Sequence, residues 1–329
     1  MSSGDGLSGL VNLGNTCYLN SCIQALSHCH ELNEIIHKEN TKKYMKKNIE
    51  SQLLHEYGDL QKLLWSKNCI IKPGRFLLAL HQTAKKKNIM EFTGFDQNDV
   101  GECLFFLINC FHESLHREVN MKIEGTTKNK KDIMAKKCFE SKKQFYEKEF
   151  SEMLDLFYGF ICDEKKEKED SSIIEYLPEP FFVLNIPIPQ GKMETNIFDC
   201  FQTYLDESKT SDETHERRTI FWSLPKILIV NFQRFHGSNL RKNHSLIDFP
   251  IENCDLSKYV EGYNAKSYVY DLFAVCNHSG SMAGGHYTCM IKTKNNNWYH
   301  MNDTNISKIN ENNLISNKAY CLFYRKKTI

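Results

Sequence analysis

The sequence has almost no net charge: 42 basic against 41 acidic residues leave +1. That balance gives no reason to expect a nucleic acid or an anionic membrane as partner. The lysine-rich runs Thr41–Asn48 and Lys128–Lys137 read as solvated faces or loops. No apolar run is long enough to cross a bilayer, so no membrane association is expected. The first residues, Met1–Ser8, lack the basic start and apolar core of a signal peptide, and none is expected. Paired cysteines are missing too. The chain has 13 cysteines, scattered and odd in number, with no C-x-x-C pair. This excludes a disulfide scaffold and suits free thiols in a reducing compartment, the cytoplasm or nucleus. Asn-x-Ser/Thr triplets such as Asn277-His278-Ser279 carry no weight without a secretory signal.

What is there is a chain of 329 residues, 41% hydrophobic, enough for one large domain or two small ones. Residues 10–115 read as mostly helical. Leu53, Tyr57, Leu60 and Leu64 form one stripe, and Pro73 sits where a helix would begin, ahead of Phe76, Leu77 and Leu80. Another helix follows Phe95–Asp99, with Val100, Cys103, Leu104, Leu107 and Phe111 as its stripe and Asp96 or Asn98 as its cap. Asp99 and Glu102 fall in its first turn, where acids suit the helix dipole. Asn120–Asp132 reads as a surface loop and Met134–Phe157 as one helix. Thereafter strands are expected at Glu179–Pro189, Leu224–Phe235, Tyr268–Cys276, His286–Thr293, Asn297–Met301 and Ala319–Tyr324, with a short helix at Ile197–Leu205. Leu224–Phe235 has the continuous β-branched run of a strand buried on both faces. The charged stretches Cys162–Ser172 and Asp206–Arg218 read as loops or a hairpin tip. Helices first and strands after argue for an α+β fold with an antiparallel sheet.

The chain is organised around Gly9–Gln24. Its first half has the Asn and Gly of a tight turn; from Cys17 the spacing of Leu19, Cys22, Ile23 and Leu26 is helical. With Asn15 or Thr16 as cap, the Cys17 thiol lies at a helix N-terminus, where the dipole and free amides favour the thiolate. Cys22 belongs to the buried stripe. Asn12, upstream in the turn, can donate to an oxyanion forming beside Cys17. Late in the chain, the small-residue loop Asn277–Gly285 ends on His286 at a strand start. The next strand returns Asn302 or Asp303 to the imidazole. Cys, His and Asn/Asp, distant in sequence and adjacent in the fold, are the set a cysteine protease needs.

These segments resemble those of the ubiquitin-specific proteases. Gly9–Gln24 is similar to that family's nucleophile segment nearly position for position. Tyr270–Trp298, centred on Gly284-Gly285-His286-Tyr287, is similar to its histidine segment, which continues to Asn302-Asp303 and Ala319–Tyr324. Phe95–Leu107, Glu179–Pro189 and Leu224–Phe235 match between them, so the resemblance spans Leu10 to Arg325. It implies a papain-like catalytic domain over 1–329, with a helical thumb (about 10–157), β fingers (about 158–223) and an antiparallel-sheet palm (about 224–329). It implies Cys17 as nucleophile, His286 as base, Asn302 as third member, Asp303 as the adjacent acid and Asn12 as oxyanion donor. Asp99 and Glu102 match acids that grip the arginine-bearing ubiquitin tail. Gln97, Gly284, Gly285 and Tyr287 border the same channel. The implied activity is hydrolysis after the C-terminal glycine of ubiquitin, without a cofactor, by a monomer acting on ubiquitinated proteins. A protease for a ubiquitin-like modifier and a catalytically silent ubiquitin-binding module are the rival readings. One departure stands out. Many members bind a finger zinc through two C-x-x-C pairs, but here only Cys162 falls in either stretch, so no four-thiolate site is expected.

Overall fold

The computed structural model describes residues 4–169, 172–235, 241–281 and 284–328. The chain forms two compact units. One comprises Met1–His116, Arg234–His244 and Leu272–Phe323; the other comprises Arg117–Gln233, Ser245–Asp271 and Tyr324–Ile329. These units cut across the thumb, finger and palm ranges drawn from the resemblance.

The first unit sets helices beside an antiparallel sheet. Helix Cys17–Ser27 is buried on every face. Helix Ile49–Ser66 buries Leu53, Leu54, Tyr57, Leu60 and Leu64 as its apolar period dictates. Its Tyr57 ring packs 6.1 Å from Phe76 of helix Gly74–Lys86 and 5.0 Å from Phe111 of helix Val100–Leu115. Strands Asn305–Ile309, Trp298–Asn302, Gly284–Lys292, Val269–Ser281 and Ala319–Lys326 lie side by side in that order. The register pairs Cys276 with Cys289, Cys289 with Met301, and Asn302 with Asn305.

Two expectations for this unit need correcting. Within the segment Asn277–Gly285, Asn277–Ser281 and Gly284–Gly285 are strand, not loop. Strand pairing runs outward through Asn277↔Thr288 and Ser279↔His286 to Ser281↔Gly284, which makes it the end of a hairpin. Met282 and Ala283 lie outside the described residues. The cap of helix Val100–Leu115 is Asp99, not Asp96 or Asn98. Asp99 is the residue with extended backbone just before the helix, and its carboxylate accepts from the Gly101 and Glu102 amides.

The second unit is built on a four-stranded sheet, with Gly159–Glu167 between Ile173–Phe181 and His215–Ser223, and Thr210–Ser211 at the outer edge. Helix Lys130–Glu149 packs Met134, Ala135, Cys138 and Tyr146 against Phe160, Cys162, Ile220 and Trp222 of this sheet. The single helix expected over Met134–Phe157 is two, Lys130–Glu149 and Glu152–Phe157. Phe150 leaves the helical ladder because its N–H and C=O bond the backbone of Arg117 instead, both at 2.9 Å. The charged segment from Cys162 is strand as far as Glu167, because its inward carboxylate is neutralised: Glu164 pairs with Arg218 at 2.7 Å and Lys166 at 2.8 Å. Strand Ile227–Phe232 is buried at every position, as its β-branched run predicts, but its pairing with Val183–Ile186 is parallel. Among the described residues, no group of three or more His, Cys, Asp and Glu could hold a metal ion. No described helix is long and apolar enough to cross a membrane.

Candidate active site

All the singled-out site residues fall in the first unit. Cys17 is the first residue of its helix and 3% exposed. Thr16 occupies the capping position, but its hydroxyl does not cap the helix. It turns back into the preceding loop, accepting from the Leu13 N–H at 2.8 Å and reaching Asn12 Oδ1 at 3.3 Å. Asn15 adopts a left-handed backbone and donates to the Phe95 carbonyl at 2.9 Å. The helix start is thus left without a side-chain cap.

Burial pushes the Cys17 thiol up from its ordinary value, and the Asp303 carboxylate adds to the rise. Hydrogen bonds from the backbone N–H groups of Tyr287, Tyr18 and Cys17 itself oppose it without winning. Helix position alone therefore does not make the thiolate, and a base must take the proton. Cys22 is fully buried beside Cys103, donates to the Val100 carbonyl at 3.6 Å and is held neutral by burial.

His286 is the third residue of strand Gly284–Lys292. Its Nε2–H donates to Asn302 Oδ1 at 2.7 Å, with Asn302 closing strand Trp298–Asn302. That tautomer leaves Nδ1 as the basic nitrogen. Asp303 does not share this role. It sits in the turn beyond the strand at φ 49°, a left-handed conformation that Asp tolerates better than most residues. Its carboxylate accepts from Asn12 Nδ2 at 3.1 Å and from Asn20 Nδ2 at 2.8 Å. The Asn12 carbonyl oxygen in turn accepts from the Gly14 and Thr16 amides, each at 3.1 Å. Asn12 is therefore fixed at both ends, while its amide keeps a second hydrogen for another acceptor. The strand Gly9–Leu10 brings it there. Leu10 N–H donates to the Asp303 carbonyl at 2.9 Å, and a Cβ at Gly9 would lie 2.6 Å from the Thr304 oxygen, so only glycine allows this approach.

Gln97 Oε1 accepts from the Gly285 N–H at 2.7 Å. Asp99 Oδ2 accepts from the Tyr287 hydroxyl at 3.2 Å and from the Tyr320 hydroxyl, while Oδ1 holds the helix cap. A Cβ on Gly285 would lie 2.1 Å from His278 Nε2, whereas one on Gly284 meets nothing within 4 Å. The need for glycine at Gly285 thus comes from His278; Gly284 faces open space. Glu102 is exposed, and partial desolvation together with the Asp99 and Glu91 carboxylates raises its pKa. It has no ion pair among the described residues.

Asn20 and Tyr320 carry part of this arrangement and were not singled out from sequence. A polar Asn inside a helix buried on all faces was the available signal for Asn20; for Tyr320 there was none.

Known proteins share this architecture. A family profile described as ubiquitin carboxyl-terminal hydrolase matches residues 8–324. The human protein named ubiquitin carboxyl-terminal hydrolase 2 is 29% identical over 98% of this chain and 55% of its own length. Drosophila melanogaster ubiquitin carboxyl-terminal hydrolase Usp2 is 30% identical over 98% of this chain and 35% of its own. The chain thus spans about half or less of the length of these relatives. Among solved structures, the SAGA DUB module with Ubp8, Sgf11, Sus1 and Sgf73 bound to monoubiquitin superposes with a TM-score of 0.73 at 20% identity, covering 100% of this chain and 71% of that one. The same module bound to ubiquitin aldehyde gives 0.70 at 22%, with coverage of 100% and 71%. At such identities the likeness concerns the fold, which is the α+β papain-like fold expected from the sequence.

Proposed function

The chain belongs to the ubiquitin carboxyl-terminal hydrolase family, and on that premise we propose that it is a deubiquitinating thiol isopeptidase acting through Cys17, His286 and Asn302. The observation that carries the reading is the 2.7 Å bond from His286 to Asn302, on a strand whose next amide, that of Tyr287, bonds the Cys17 sulfur. His286 Nδ1 takes the Cys17 proton. The thiolate attacks the carbonyl carbon of the C-terminal glycine of ubiquitin, and the oxyanion accepts from the second Asn12 amide hydrogen and the Cys17 backbone N–H. One such donor is worth about 3–4 kcal/mol in the transition state. His286 protonates the departing lysine amine. Water then hydrolyses the thioester with His286 as base. No cofactor is required.

Asp303 serves this chemistry by fixing Asn12 rather than by touching the ring. Exposed Glu102, beside two other acids, suits a basic tail, and open Gly284 leaves room for the tail's backbone. Ubiquitin and ubiquitinated proteins are the proposed partners; solved relatives of this fold bound to monoubiquitin and to ubiquitin aldehyde support that choice. One chain supplies every catalytic group, so a monomer suffices for the proposed chemistry. Its 13 cysteines, all but Cys69 buried, fit the cytoplasm or nucleus.

The test is hydrolysis of a fluorogenic amide at the ubiquitin C-terminus, run beside electrophile-tagged ubiquitin and tagged ubiquitin-like modifiers. Turnover of the ubiquitin amide with labelling of Cys17 is expected. Labelling by a modifier alone would make the protein a protease for that modifier, and binding without labelling would make it a silent module.

A further inference from the structure

Asp99 has no acceptor position to spare. An ionised carboxylate offers about four lone-pair sites. Asp99 uses Oδ1 for the Gly101 N–H at 2.7 Å and the Glu102 N–H at 3.2 Å, and Oδ2 for the Tyr287 hydroxyl at 3.2 Å and the Tyr320 hydroxyl. Both phenols are buried, 7% and 5% exposed, and besides their bond to each other Asp99 is the acceptor they share. An arriving guanidinium would have to displace these bonds.

The two residues on either side of His286 are tied to the same short segment. Gly285 N–H donates to Gln97, and Tyr287 is held by Asp99. The Tyr287 phenol also receives a hydrogen bond from the Val100 amide at the helix start. Tyr287 is the residue whose backbone N–H bonds the Cys17 sulfur. We propose that Asp99 is a positioning residue: through the Tyr287 and Tyr320 hydroxyls it holds the strand head so that the Tyr287 amide faces the nucleophile, and it does not receive the basic tail of the substrate. The proposal rests on Cys17 as nucleophile, and leaves Glu102 as the acid available to that tail.

Asp99→Ser separates the roles. Serine caps a helix about as well as aspartate, but its single oxygen cannot replace the carboxylate that both phenols share, and leaves them only their bond to each other. The Cys17 thiol is titrated by thiolate ultraviolet absorbance, as the difference between each protein and its Cys17→Ala counterpart, with no substrate present. The expected result is an upward shift of about one pKa unit, a tenfold loss of thiolate, with kcat lowered and KM for the ubiquitin amide nearly unchanged. Lost charge alone would move the titration down or not at all, so the sign is diagnostic. Tyr287→Phe, which keeps Asp99 and the cap intact, is expected to shift it in the same upward direction. An unmoved titration with a raised KM would return Asp99 to tail binding and overturn the proposal, as would no change in either measurement. If the wild-type protein cleaves no ubiquitin substrate, the functional reading fails, while the titration still decides the positioning role.

Discussion

Asn302→Ala removes the acceptor that holds the His286 ring and its tautomer. kcat on a ubiquitin amide is expected to fall by about 10²–10⁴. Asp303→Asn acts elsewhere. It weakens the hold on Asn12 and Asn20, and kcat should drop by no more than about 10²–10³. It also removes a charge that raises the Cys17 pKa, so the Cys17 thiol, titrated by thiolate absorbance, should show its limb at lower pH. An unmoved limb would show that the Asp303 carboxylate does not act on the thiol. Cys17→Ala should abolish turnover and keep ubiquitin binding, measured by calorimetry. Cys22→Ala should leave kcat within a few fold, because its sulfur lies against Val100 and Cys103 in the core. That His286 meets Asn302 or Asp303 was legible because their strands are adjacent, while the choice of Asn302 came from the resemblance. Asn20 was not legible, because its partner lies 283 residues away and only the folded turn at Asp303 connects them.

At the scale of elements, the hairpin ending in Ser281 and Gly284 predicts a contrast between two adjacent glycines. Gly285→Ala drives a methyl group into His278, and should lower stability by about 1–3 kcal/mol in urea unfolding. Gly284→Ala meets open space. It should stay within about 0.5 kcal/mol of wild type but raise KM if the substrate tail runs against it. In the second unit, Arg218 and Lys166 hold the Glu164 carboxyl below its usual range against the opposing effect of burial. A carboxyl with a depressed folded pKa stabilises above its unfolded value, and that contribution is lost as pH falls through the folded one. Arg218→Met should therefore cost about 2–3 kcal/mol near neutral pH, less than a fully buried pair because Arg218 is 38% exposed. The loss should shrink toward about pH 3, as protonated Glu164 no longer needs its partner. Equal losses at both pH values would show that only packing had changed. The strand around Glu164 was hidden in the sequence because its charges mask the alternation; the partners that cancel them come from other segments. The helix break at Phe150 was hidden for a similar reason, since the competing bonds to Arg117 are made across 33 residues.

For the whole molecule, elemental analysis is expected to find no stoichiometric zinc. Cys162 is buried against Cys138, and no third ligand joins them among the described residues. One zinc per chain would reveal a donor set not recognised in either the sequence or the fold. The order of blocks along the chain made the α+β class legible, whereas the parallel pairing of Val183–Ile186 with Ile227–Phe232 depends on long connections that carry no local signal. The bond between Asn12 and Asp303 spans 291 residues, and this bears on biosynthesis. Translation delivers Cys17 early and Asp303 late, and contacts of such separation form late in folding. A nascent chain that has exposed its nucleophile, and even its histidine, still lacks the anchor for its oxyanion donor. The ribosome thus keeps the newborn protease inert until the Asp303 turn has emerged, and chains stalled before Asn302 should fail to react with electrophile-tagged ubiquitin.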